Sequence, residues 1–138
     1  MARAMFAAFS DGDIDAACAL TTRDVKFTVI AERVTGELPN GHYGLRAWFQ
    51  DNHRIWETLR LDADGIALEE RGDWVLAGGV SRGTTRDIGR TLVWEWTAIV
   101  RVVDGLVNRF GVYLDREEAL RQLAREQPGG WGTEPPPT

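Results

Sequence analysis

The chain has one cysteine, one lysine and two histidines among 138 residues. A lone cysteine, Cys18, excludes an internal disulfide and a metal centre built from thiolates alone. It falls on the apolar side of a predicted helix near Ile14 and Thr21, the setting of a buried structural thiol rather than a reactive one. Lys26 is the one lysine among sixteen basic residues, an arginine bias of the kind that a GC-rich bacterial genome produces. The formal charge is −5 and the basic residues form no cluster, which argues against nucleic acid and anionic membranes as partners. No apolar run is long enough to span a bilayer. The N-terminal apolar stretch is too short for a secretory core and ends in Asp11-Gly12-Asp13, so a cytoplasmic location is expected. His42 has no second ligand at a recognisable spacing, and no metal or other cofactor is expected.

What is present reads as one domain over residues 1–126, followed by a tail, 127–138 (QPGGWGTEPPPT), rich in proline and glycine. Residues 2–10 carry Met5, Phe6 and Phe9 at helical spacing. Gly12 can end that helix and Asp13 can cap a second, short one running to about Leu20. Residues 25–29 alternate as a half-buried strand does, a weaker strand is expected at 33–35, and 36–41 reads as loop. From Tyr43 to Leu59, apolar residues including Leu45, Trp48, Phe49, Trp56 and Leu59 recur at three- and four-residue steps, predicting one long helix. Strands follow at about 60–70 and 73–82, with a polar loop over 83–89. A hairpin turning at Asp104-Gly105 comes next, and then a helix from Arg116 to about Glu126 that Asp115 and Glu118 should cap. Helices gathered against one face of a curved antiparallel sheet make an α+β fold.

Five stretches in this order resemble those of SnoaL-like proteins in the nuclear transport factor 2-like superfamily. They are Phe9-Ser10-Asp11-Gly12-Asp13-Ile14-Asp15-Ala16, Gly41 to Phe49, Gly72-Asp73-Trp74-Val75-Leu76, Val103-Asp104-Gly105-Leu106-Val107, and Tyr113 to Leu120. The resemblance covers about Phe6 to Leu123. It implies a cone-shaped barrel of the cystatin-like kind, with a pocket between the sheet's concave face and the long helix. It also implies frequent dimerisation through the sheet. Relatives include ketosteroid isomerase, polyketide cyclases, limonene-epoxide hydrolase and scytalone dehydratase, together with members that only bind or only assemble, so fold alone does not settle function.

The hairpin register decides which residues line such a pocket, because a slip of one residue turns every side chain over. A two-residue turn at Asp104-Gly105 would mix charge into both faces. A type I turn with a left-handed Gly105 bulge sorts them instead. Trp94, Trp96, Ala98, Val100 and Val102 then share a face with Phe110, Val112 and Leu114. Glu95, Thr97, Arg101, Arg109 and Tyr113 share the other.

Carried over by resemblance, the isomerase's proton-handling positions fall on Met5, Ala98 and, within a residue or so, Val29. The late-strand carboxylate of the cyclases falls on Val112, and the hydrolase's remaining groups fall near Gly79 and Ser81. None of these side chains is an acid or base of the kind those chemistries use. The expected pocket is therefore apolar and rich in tryptophan: Met5, Val29, Trp48, Trp56, Trp96, Ala98, Phe110 and Val112. Trp48, Trp56, Trp94 and Trp96 have two readings of equal weight, lining such a pocket or filling the space as core.

His53, at the edge of the long helix's apolar stripe, is the one weak catalytic candidate, set against the plainer role of an exposed helix histidine. Three functions stay open. The first is a small-molecule-binding protein for an apolar or aromatic ligand. The second is a cyclase-, isomerase- or hydrolase-type enzyme, acting on a polyketide, terpenoid or steroid-like ligand through His53 or an acid near Glu32 or Asp87. The third is a dimerising module. A homodimer is expected in any case, through the outward sheet face carrying Thr97, Ile99 and Tyr113.

Overall fold

Asp13 accepts a hydrogen bond on Oδ1 from the Ala16 N–H at 3.0 Å and so caps α2 (Ile14–Leu20). Gly12, at φ 68°, separates it from α1 (Ala2–Asp11). The computed structural model describes residues 2–31, 34–37, 40–61 and 65–126, with the side chains of 29–31 and 34–37 left out. The predicted tail over 127–138 and Glu32 thus lie outside the described residues. After α2 come β1 (Thr21–Ala31), β2 (Val34–Glu37), α3 (Gly41–Ile55), β3 (Trp56–Leu61) and β4 (Ala67–Arg71). The chain continues through β5 (Trp74–Thr85), β6 (Thr91–Val103), β7 (Leu106–Tyr113) and α4 (Arg116–Glu126).

The seven strands form one sheet in the order β2-β1-β7-β6-β5-β3, with β4 also paired to β5. The pairing of β1 with β7 is parallel and the rest are antiparallel, so the sheet is mixed rather than wholly antiparallel. Alternation of apolar and polar residues looks the same in both pairings, and the long connection from β1 to β7 permits the parallel one.

The long helix is shorter than its periodicity suggests and stops at Ile55. Trp56, at ψ 129°, is already extended and pairs with Thr85 of β5, which itself runs on past Gly83 into the expected loop. Arg86 secures this exit: its backbone N–H donates to the Ile55 carbonyl at 3.0 Å and its Nε donates to the His53 carbonyl at 2.7 Å. Trp56 and Leu59 fit a helical stripe by spacing, but ladder bonds to β5 outweigh a last helical turn. His42, expected in a loop, lies in the first turn of α3, with its Nε2 3.0 Å from the Thr21 hydroxyl.

The hairpin sorts its faces as expected but by a different device. Asp104 (φ 53°) and Gly105 (φ 78°) form a two-residue turn between the paired Val103 and Leu106. The extra residue comes three positions later. Val102 pairs with Val107 and Arg101 with Arg109, which leaves Asn108 unpaired as the bulge. Beyond it Val100 faces Phe110 and Ala98 faces Val112.

Not all helices share one face. α1, α2 and α3 cover the concave side, where Met5, Phe6, Phe27, Leu45, Ala98, Val100 and Phe110 form the main core. α4 covers part of the convex side, burying Trp74, Leu76, Ile99 and Tyr113 beneath Ala119 and Leu123. Thr97 (9 % exposed), Ile99 (0 %) and Tyr113 (1 %) are therefore covered within the chain and are not a free interface. The sequence pattern left them outward because it did not say where the last helix returns.

Asp115 caps α4, with Oδ1 accepting from the Glu118 N–H at 2.8 Å. At its other end, Arg109 is 4 % exposed and donates from Nε and Nη2 to the two Glu126 oxygens at 2.7 and 3.0 Å. Its Nη2 also donates to the Tyr113 hydroxyl at 3.3 Å, and its Nη1 donates to the Phe110 carbonyl at 2.8 Å. Burial opposes the Glu126 charge, but the hydrogen bonds from Arg109 and Gln122 outweigh it and hold the carboxyl below the usual glutamate value. Burial pushes the Tyr113 hydroxyl up.

A carboxyl with a lowered folded pKa contributes stability that is fully present above its unfolded pKa and is lost as pH falls through the folded value. Glu126→Gln is expected to cost about 2 kcal/mol at neutral pH in urea unfolding, because it leaves the Arg109 charge buried without its counter-ion. The variant should also lose less stability than wild type as the pH falls below the ordinary glutamate value of 4.5.

Candidate functional site

The concave face of the sheet is where the resemblance places a pocket, and aromatic rings pack against one another across it. Phe6 of α1 lies 5.0 Å from Trp96 and 5.6 Å from Phe110, centroid to centroid. Phe27 of β1 stacks on Phe110 at 5.4 Å and meets Trp48 of α3 at 4.7 Å, while Phe9 stacks on Trp48 at 4.2 Å. Such pairs add about 0.5–1.5 kcal/mol each beyond the area they bury. Met5, Trp96, Ala98 and Phe110 are fully or almost fully buried in this packing, and Trp48 and Val112 are partly buried against it. Val29 pairs with Val112 along the backbone, and its side chain is outside the described residues. Trp96 fits because Gly79 faces it: a Cβ there would stand 2.7 Å from the indole. The Trp96 Nε1 is buried with no hydrogen-bond partner among the described residues.

Open space begins on the far side of this cluster. A groove of about 670 Å³ runs between the α1–α2 corner, the outer half of α3 and the edge strand β3. Phe9, Ile14, Phe49, Trp56 and Leu59 supply its apolar walls; Asp11, Arg46, His53, Glu57 and Arg60 supply charge or titratable groups. Ser10 closes one end by tying α1 to β3, its hydroxyl accepting from the Leu61 N–H at 3.1 Å. Arg46 pairs with Asp15 at 3.5 Å in an exposed contact, worth little by itself.

Trp56 is the best-fixed wall. It stacks on Trp94 with centroids 5.1 Å apart and planes 24° apart. It also lies over Gly83, where a Cβ would stand 2.6 Å from the ring. Of the residues expected to line the pocket, Trp56 is thus the one that borders the groove.

His53 lies on the groove wall with an exposed side chain that has no hydrogen-bond or ion-pair partner among the described residues. Asp87, the alternative acid, is a turn residue: its Oδ1 accepts from the Ile88 N–H at 2.7 Å, and that bond holds its carboxyl below the usual aspartate value. Glu95 is exposed and Arg101 pairs with Asp73 at 3.7 Å, both away from the concave face. Among the described residues no group of three or more His, Cys, Asp or Glu side chains can hold a metal. Likewise, no helix there is long and apolar enough to cross a membrane.

The groove residues Phe9, Ile14, Arg46, Phe49, Glu57 and Arg60 were not singled out by sequence. Phe9 and Phe49 read as core, and the charged residues read as the solvated side of a helix or strand. The one available signal was the Gly12 break, which marks where α1 and α2 part and leave a corner.

This architecture has known counterparts. A model of the SnoaL-like domain family matches residues 2–110, and the chain belongs to that family. Among solved structures, a putative polyketide cyclase from Xanthomonas campestris superposes with a TM-score of 0.71 at 24 % identity, over 88 % of this chain and 92 % of the other. A protein of nuclear transport factor 2-like fold and unknown function from Burkholderia pseudomallei gives 0.71 at 22 %, over 87 % and 92 %. TerC co-crystallised with polyporic acid gives 0.69 at 22 %, over 88 % and 93 %. At these identities the likeness carries the fold. No curated protein matches the chain.

Replacing Gly83 by valine is expected to displace the Trp56 ring and cost about 1–3 kcal/mol. A red-shifted tryptophan emission together with a lower urea midpoint is the result that checks it.

Proposed function

We propose that the chain binds a small, partly aromatic molecule in the groove beside α3, with the Trp56 ring as its stacking wall. The observation that carries this is the immobilised indole: Trp94 behind it and Gly83 beneath it hold Trp56 at the wall of a 670 Å³ groove. A ring fixed before binding loses little further freedom when a planar ligand stacks on it. Phe9, Phe49 and Leu59 extend the apolar wall, while Arg46, His53 and Arg60 offer donors for an oxygen-bearing edge of the ligand. Two structural neighbours, one called a putative polyketide cyclase and one crystallised with polyporic acid, are in keeping with such a ligand. The interior positions that the resemblance makes catalytic, Met5, Ala98 and Val112, are apolar, which supports binding without the family's familiar acid–base groups.

Anilinonaphthalene sulfonate is a suitable probe, being planar, aromatic and anionic. Trp56→Ala is expected to weaken its binding about tenfold, the loss of one aromatic contact. Trp74→Phe, on the other side of the sheet, should leave it unchanged. Equal affinity for the wild type and Trp56→Ala would sink the proposal.

One observation favours a second reading. The exposed His53 side chain lines the same groove as Glu57 and Asp11, so acid–base chemistry on a polyketide, terpenoid or steroid-like ligand has a candidate base. Turnover of such a ligand that disappears in His53→Ala, while the probe still binds, would mark an enzyme. Turnover that survives the substitution would remove His53 from that role.

A further inference from the structure

The groove beside α3 has a second kind of wall, the free edge of the sheet. β3 ends the strand order and pairs with β5 on one side only. In an antiparallel pair, successive residues alternately turn both backbone groups toward the partner strand and both away from it. Leu61 is of the outward kind. Its N–H donates to the Ser10 hydroxyl at 3.1 Å, and that hydroxyl donates back to the Leu61 carbonyl at 3.4 Å. Leu59 stands two residues earlier in unbroken register, opposite Gly83 as Leu61 is opposite Ser81. Its N–H and carbonyl therefore face the same way, toward the groove that Leu59 lines, and no group among the described residues meets them. Gly83 is also the residue that the Trp56 ring lies over, so the indole wall and this open donor–acceptor pair adjoin.

We propose that the Leu59 backbone is the recognition element of the groove. Its ligand is a neutral planar ring carrying an N–H and a carbonyl side by side on one edge, as a cyclic amide does. The inference rests on the stacking role of Trp56 proposed above and adds the chemical class of the ligand. With the ring on Trp56, its N–H donates to the Leu59 carbonyl and its own carbonyl accepts from the Leu59 N–H. Ser10 meets both groups of Leu61 with a single oxygen, and one of the two bonds is long at 3.4 Å. Two adjacent ligand atoms can make both bonds short. A carboxylate only accepts, and would set a negative oxygen against the Leu59 carbonyl. An added β-strand is a poor occupant, because strand addition draws on a row of main-chain bonds. Ser10 already takes Leu61, and the register shifts between Trp56 and Thr58, so the regular edge offers one residue's pair.

Carbostyril, a planar cyclic amide, and N-methylcarbostyril differ by the donor in question and serve as probes. In nuclear magnetic resonance titrations of the isotope-labelled full chain, both should shift the Trp56 indole N–H signal. Only carbostyril should move the Leu59 amide downfield. It should also bind about tenfold more tightly, since the methylated ring leaves the Leu59 carbonyl unpaired. Leu59→Pro removes the outward N–H, and such a position on an edge strand tolerates proline. In that variant carbostyril should bind no better than N-methylcarbostyril, and the wild-type titration decides the matter if the variant does not fold. Equal affinities with an unmoved Leu59 amide, while the Trp56 signal still shifts, would overturn the proposal and leave the stacking wall standing. A Trp56 signal indifferent to both rings would remove the stacking wall and this proposal with it.

Discussion

One extra residue, Asn108 in β7, decides which side chains of the hairpin look inward. A two-residue turn alone would place Arg109 on the concave face with Val100 and Val102. The bulge turns the rest of β7 over, so that Phe110 and Val112 join Val100 and Ala98. Both cores depend on that shift. Phe110 enters the aromatic cluster beneath α1 and α3, while Arg109 and Tyr113 go to the opposite side, where α4 covers them. Without the bulge a guanidinium would face the rings of Phe6 and Phe27 with no acid to meet it, an expensive burial.

The consequences differ on the two sides. Inside the cone, rings from five elements pack against one another, and small residues make the room. Gly79 admits Trp96 and Gly83 admits Trp56. Open volume lies in the corner where α1, α2 and β3 meet the outer half of α3. Trp56 belongs to both worlds. Its backbone starts an edge strand, one ring face rests on Trp94, and the ring borders the groove. The site is therefore a lined corner with a fixed indole, and its polar groups sit at the rim rather than in the depths.

On the convex side a helix too polar to stand alone is held by a few strong contacts. Ala119 and Leu123 supply the apolar seat, and the Arg109–Glu126 pair, braced by Tyr113, anchors the end. The helix covers the part of the face richest in large apolar residues and leaves the part bearing Val80, Val93, Arg82 and Glu95 exposed. How far α4 reaches thus determines which part of that face meets solvent.

Much of the fold was legible in the residues. Caps at Asp13 and Asp115, the break at Gly12, the stripe beginning at Leu45 and the alternation along β6 and β7 each have a local physical cause, so local sequence shows them. The face assignment of Trp96, Ala98, Phe110 and Val112 was legible too, because only one register separates apolar from charged side chains. The groove was not. Phe9 and Phe49 look like core wherever they stand, and the charged residues near them look like solvated surface.

The sequence by itself determined the elements, their caps and the sorting of the hairpin, since each follows from spacing and side-chain chemistry within one or two segments. The tertiary structure alone decided that β1 runs parallel to β7, that Trp56 leaves the helix to pair with β5, which rings meet inside the cone, and which part of the convex face α4 covers. Each of these depends on which distant surfaces meet and how completely their volumes fill the space between them, and packing of that kind leaves no mark on local pattern.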